Sequence, residues 1–142
     1  MDLVELKSEL MEVAELTGIP CEEFGIGAGG AMLFYGLRDK TNDIDVVLPH
    51  ELFETLYGKY EVHIFKSFVD GLPHEKISIG NVDIHNEVDS SDYLHPKYVM
   101  FGSFKVECLH SILSHKKIMN RIKDQEDIKK LTKACVKIKR AS

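Results

Sequence analysis

A mixed β-sheet covered by helices, of the α/β or α+β class, is what this sequence predicts, and three observations predict it. Helical periodicity opens the chain and returns at its end, short strand-forming runs bounded by glycine and proline fill the middle, and the two kinds of element interleave. Leu3, Leu6, Leu10 and Val13 recur at helical spacing and stop at Thr17-Gly18-Ile19-Pro20, which makes a first helix. Residues 23–28 read as a short strand running into Gly29-Gly30, and A-M-L-F-Y-G-L-R after them as a short helix. Residues 43–48 are the second strand, ended by Pro49. Leu52, Phe53 and Leu56 give residues 50–57 the apolar side of a helix, which Gly58 ends. Residues 60–68 alternate as a strand, and 75–79 and 81–88 make two more, joined by Gly80 into a meander. A short strand at 104–106 precedes helices at about 109–120 and 124–137. Neither a repeat nor a low-complexity linker divides the chain, so residues 1–142 are expected to form a single domain.

Composition narrows the function. A chain of 142 residues, 44% hydrophobic and 29% charged, has the makeup of one ordinary soluble domain, and burying roughly two-thirds of its unfolded surface gives it a core without disulfides. Cys21, Cys108 and Cys135 are widely spaced and lack a C-x-x-C pair, so neither a disulfide framework nor a zinc site is expected, and a reducing cytoplasm fits best. The N-terminus lacks the basic start and apolar block of a signal peptide, and no apolar run has the length of a membrane span. The net charge of −5 argues against general coating of nucleic acid. Lys116 to Arg140 nevertheless carries ten Lys and Arg against three acids, a pattern of a solvated helix face or of a local basic surface, while residues 81–92 hold Asp83, Glu87, Asp89 and Asp92 with no base.

The chemistry concentrates in G-A-G-G-A-M-L-F-Y-G-L-R-D-K-T-N-D-I-D-V-V-L-P, residues 27–49. Asp43 and Asp45 lie two apart in a strand, which puts both carboxylates on one face in one small volume. Their repulsion is relieved by a divalent cation. Gly29-Gly30, at the passage from strand to helix, offers unpaired amides and room for a phosphate, although a plain tight turn also accounts for it.

The combination of Gly29-Gly30, the short helix with Leu33 and Gly36, then Arg38, Thr41 and D-I-D at 43–45 resembles the nucleotidyltransferase superfamily related to DNA polymerase β. It looks most like the small branches that include the AbiEii-type toxins and minimal nucleotidyltransferases. The resemblance implies that Gly29 and Gly30 hold a triphosphate and that Asp43, Asp45 and a third strand acid bind magnesium, with two ions expected. Asp83 in N-V-D-I-H is the third acid, since Val82 and Ile84 flank it as core residues; Glu87 replaces it if the register differs. The C-terminal H-K-K-I-M-N-R-I-K-D-Q-E-D-I-K-K-L, residues 115–131, resembles the helical motif of the AbiEii-like branch. Lys116 then contacts the triphosphate or assists the incoming hydroxyl, and Arg121, Lys123, Asp124 and Asp127 match the positions that follow. If the helix is continuous, residues 116, 120, 123 and 127 share a face and Lys123 pairs with Asp127; for Asp124 a helix N-cap is an equal account. Arg38 serves the phosphates or forms a surface pair with Asp39 or Asp43, and Thr41 binds nucleotide or caps the turn before the strand.

The activity these parts imply is magnesium-dependent transfer of a nucleoside monophosphate from a nucleoside triphosphate to a hydroxyl, with Asp83 available to take the proton. The acceptor is a protein, tRNA or a small molecule. The resemblance also implies a homodimer or a small helical partner, as in toxin–antitoxin pairs, since the superfamily normally reads its acceptor with an added domain or a partner. Two further readings stand beside it: a non-catalytic nucleotide-binding or antitoxin module, and an antibiotic-modifying enzyme of the lincosamide or aminoglycoside type. The seven histidines lack the spacing of a helical metal site. His85 shares the face of Asp83 and lines the pocket or is an ordinary polar strand residue. The acids of D-I-H-N-E-V-D-S-S-D do not fit a calcium loop, and Phe34, Tyr35, Tyr57 and Phe65 are expected at core positions rather than in a base-stacking row.

Overall fold

The structure, a computed structural model, describes residues 1–89 and 96–141; Asp92 and His95 therefore lie outside the described residues. The first helix, α1 (Leu3–Thr17), begins at a capping box. The Asp2 carboxylate accepts from the Glu5 amide at 2.9 Å, satisfying a first-turn donor. Gly18, at φ 71°, ends it in the left-handed region that glycine enters without strain. Leu6, Leu10 and Val13 are buried, as their spacing predicts.

The remaining elements are β1 (Gly25–Ile26), α2 (Ala28–Phe34), β2 (Ile44–Leu48), α3 (His50–Glu54), β3 (His63–Lys66), β4 (Pro73–Ile79), β5 (Val82–Asn86), β6 (Tyr98–Phe101), β7 (Phe104–Glu107), α4 (Leu109–Met119) and α5 (Gln125–Ala141). The strands form one sheet in the order β3-β4-β5-β2-β1-β7-β6. It is mixed: β2 runs parallel to β5 and β1 to β7, while the other neighbours are antiparallel. Alternation fixes which face is buried. In β2 and β5 the residues Ile44, Val46, Val82 and Ile84 are fully buried, and they join Leu6, Leu10, Ile26, Met32 and Ile112 in one core.

Several expected boundaries move. The strand expected at 23–28 shrinks to Gly25–Ile26, because Cys21–Glu23 coil as a 3-10 turn and Ala28 already begins α2. Gly29 and Gly30 consequently sit inside the first helical turn, with Gly27 as N-cap. Asp43 precedes β2 instead of opening it, and the strand expected at 60–68 narrows to His63–Lys66. The strand β6 was not expected, yet its signal is present: Y-V-M-F and F-K-V-E are separated by Gly102-Ser103, a two-residue hairpin link, with Gly102 at φ 60°. The helix does not continue from 116 to 127. Asn120, at φ 44°, closes α4, and Ile122–Asp124 form a separate 3-10 turn before α5. Of the four aromatic residues expected in the core, Phe34, Tyr35 and Phe65 are half-buried, whereas Tyr57 is exposed and its hydroxyl donates to Glu75.

Candidate active site

The parallel register of β2 and β5 sets Asp45 opposite Asp83 and Val47 opposite His85. Since Ile44, Val46, Val82 and Ile84 occupy the buried face, the intervening acids share the open one. The Asp45 carboxylate meets His85 Nε2 at 3.1 Å. Asp83 accepts from the Ser78 hydroxyl at 2.6 Å and has the Lys76 ammonium at 3.9 Å. Asp43 stands at the mouth of β2, exposed, with its backbone carbonyl accepting from the Thr41 hydroxyl at 3.0 Å. Thr41 is thus a cap of the turn, and it is tied further by the N-terminal ammonium of Met1, which donates to its carbonyl at 2.7 Å.

A polar cleft of about 370 Å³ opens beside these acids. Gly29, Arg38, Thr41, Asp43, Asp45, Lys116 and Lys123 all line it, together with Arg121, Asp124 and Asp127. Four separated segments therefore converge on one volume. Asp83 and Gly30 are not among the residues lining this cleft. Asp83 lies beyond Asp45 on the sheet, and Gly30 is buried in the core, where a Cβ would come 3.2 Å from Ile26 and Leu6.

The cations of the cleft are held by buried carboxylates. Lys116, 8% exposed, lies 3.3 Å from Asp124 and 3.2 Å from Asp127. Arg38 donates to Asp127 at 2.5 Å, not to Asp39 or Asp43. Lys123 lines the cleft, and Asp127 takes Arg38 and Lys116 in place of the pairing expected with Lys123. Asp124, 1% exposed, receives the Arg121 amide at 3.1 Å and its Nε at 2.7 Å. It closes the start of the 3-10 turn as a capping residue and anchors two cations as well. Burial alone would push its carboxyl up, but the hydrogen bonds from Arg121, then the charges of Lys116 and Arg121, overcome this and hold it down at about 2. An ammonium has three donors and a guanidinium five, so both cations keep donors beyond those engaged by the aspartates.

Glu107, at the end of β7, belongs to the same neighbourhood and was not expected from sequence. It is 2% exposed. Its carboxylate accepts from the Ala28 amide at 3.3 Å and from the Ser111 hydroxyl at 2.6 Å, and meets His115 Nδ1 at 2.8 Å. Ala28, at φ 50°, occupies the left-handed region that a residue with a Cβ rarely adopts. The carboxylate thus pins a strained residue at the entry to α2. Glu107 and Ser111 lie four positions apart across the β7–α4 junction, a common spacing that gives no distinctive signal in the sequence.

The donor set suits a hard divalent cation: Asp43, Asp45 and Asp83 offer only carboxylate oxygens, and Asp43 has no cationic partner drawn to it among the described residues. As they stand, no three acid, His or Cys side chains among the described residues are gathered closely enough to hold an ion; Asp83 is engaged by Ser78. No described helix is long and apolar enough to cross a membrane. Compared with protein-family models the chain matches none, and no curated protein matches it.

Gly29 supplies a test of the cleft. A Cβ there would collide with Arg38 Nη1 and come 3.1 Å from the Thr41 hydroxyl. The end of Arg38 is flexible and alanine favours the helix by up to about 1 kcal/mol, so Gly29→Ala is expected to leave thermal stability within about 1 kcal/mol of the native value. Were the cleft to take a phosphate against the backbone at Gly29, the added methyl would lower its affinity by about tenfold.

Proposed function

We propose that the cleft binds the phosphates of a nucleoside triphosphate and that the protein is a nucleotidyltransferase, moving a nucleoside monophosphate to a hydroxyl acceptor. The observation that carries this reading is the meeting, in one volume, of the first turn of α2, the Asp43–Asp45 pair and the Lys116, Arg38 and Lys123 cations. The cations would neutralise phosphate charge, with Arg38 and Lys116 oriented in advance by Asp124 and Asp127, and Gly29 lets the phosphate approach the backbone closely. Asp43, Asp45 and Asp83 would hold magnesium, as one ion or two, whose charge screens the phosphates and lowers the pKa of the attacking hydroxyl.

In the reaction the acceptor oxygen forms a bond to the α-phosphorus while the bond from that phosphorus to the bridging oxygen of the β-phosphate breaks, and pyrophosphate departs with the electron pair. Asp83 lies beyond Asp45 on the open side of the sheet, and its carboxylate is the group suited to take the acceptor proton. The test is incubation of the protein and magnesium with each of the four α-labelled triphosphates and a lysate separated into RNA, protein and small molecules, with the Asp43→Asn/Asp45→Asn double variant as control. Label that depends on the two aspartates is the expected outcome and identifies the acceptor class. Equal labelling by the variant would refute the assignment.

A further inference from the structure

A second pocket, of about 210 Å³, adjoins the cleft and shares Ala28, Lys116 and Arg121 with it. Its character is different. Val69 from the β3–β4 link and Ile112 and Met119 from α4 supply apolar walls, and Glu107 and His115 supply polar ones. Val69 lies at the tip of the β3–β4 hairpin, so that the hairpin reaches from the far edge of the sheet to the start of α2.

Polarity sorts what the two volumes accept. Charged side chains of both signs line the cleft, whereas Val69, Ile112 and Met119 make the pocket mostly apolar beyond the Lys116 and Arg121 that it shares with the cleft. A ligand spanning both must therefore carry its anionic part in the cleft and an uncharged, mostly apolar part in the pocket. The volume lies below that of pockets that enclose whole drug-sized ligands and suits a single ring system. The acceptor has a separate approach, because Asp83 and Glu107 lie on opposite sides of the β2–β1 pair in the strand order.

We propose that this pocket is the nucleoside subsite: it takes the base of the triphosphate whose phosphates lie in the cleft, between the Met119, Ile112 and Val69 side chains, with His115 as the polar group that reads the ring. The inference rests on the nucleotide reading of the cleft. His115 is held for this role by Glu107, whose carboxylate fixes Nδ1, and the polarisable Met119 thioether favours contact with an aromatic ring. Glu107 is a positioning residue in this arrangement, acting through His115 and the Ala28 turn.

The experiment compares, in magnesium, the affinities of the protein for the four nucleoside triphosphates and for inorganic tripolyphosphate. The native protein is expected to bind at least one nucleoside triphosphate about tenfold or more tighter than tripolyphosphate. Met119→Trp fills the pocket from a half-buried position and should abolish that advantage while leaving tripolyphosphate affinity unchanged. Val69→Trp fills it from the hairpin and should do the same should the first variant fold poorly, as thermal unfolding will report. A preference that survives both fillings, or a native protein that binds tripolyphosphate as tightly as every nucleotide, overturns the subsite and leaves the phosphate cleft standing. A native protein that binds neither ligand overturns the cleft and the subsite together.

Discussion

Replacing Asp45 with asparagine is expected to lower nucleotidyl transfer by about a thousandfold or more while leaving the fold intact, because a charge stabilisation of several kcal/mol is removed from the transition state alone. The asymmetry follows from position. The Asp45 side chain is 51% exposed, and it faces a second acid across the β2–β5 register, so neutralising it removes repulsion from the folded protein. Among the described residues its side chain meets His85, a contact that survives with an amide oxygen as acceptor. Urea unfolding of Asp45→Asn should therefore fall within about 0.5 kcal/mol of the native protein. A variant that loses activity and stability in parallel would mark Asp45 as structural instead.

Asp124→Asn should show the opposite profile. Its carboxylate is buried between Lys116 and Arg121, and removing the negative partner of a buried ion pair costs about 3 kcal/mol or more. The acid range supplies an independent check. The carboxyl is held at about 2 in the folded chain, below its ordinary value of about 3.9 when unfolded, so the unfolded chain binds the proton first as pH falls. The stabilisation is fully present above about pH 4 and is lost as pH falls through about 2, a change of about 2 kcal/mol. Urea midpoints measured between pH 5 and pH 2 should fall more steeply for the native protein than for Asp124→Asn. Parallel curves would show that Asp124 carries no such linkage.

The contrast between these two aspartates also marks what was legible in the sequence. Asp45 could be read because it interrupts a run of core strand formers, and a two-residue period leaves no choice about which face it takes. Asp83 could be read for the same reason, from Val82 and Ile84. The helix α1 was legible from apolar spacing and a clear stop at Gly18, and the one unexpected strand, β6, had a Gly-Ser hairpin link between its runs.

What was not legible depends on contacts between distant segments. Nothing local to Arg38 indicates that it pairs with Asp127, 89 positions away, rather than with adjacent Asp39. The left-handed turn at Asn120 redirects the chain so that Asp127 faces Lys116 across a break in the helix, a geometry that helical spacing misassigns to Lys123. Glu107 is least visible of all, since one carboxylate at a strand end gains its meaning only from the Ala28 amide and His115.

The central claim, that this cleft transfers the nucleotidyl group, is tested most directly by supplying the protein with magnesium and a lysate acceptor fraction together with ATP labelled at either the α- or the γ-phosphate, and repeating the pair with the other three nucleotides. The account predicts acceptor-bound label from the α position alone for at least one nucleotide, with the γ label recovered in pyrophosphate. Label delivered from the γ position, or none from any nucleotide with any acceptor fraction, would contradict it.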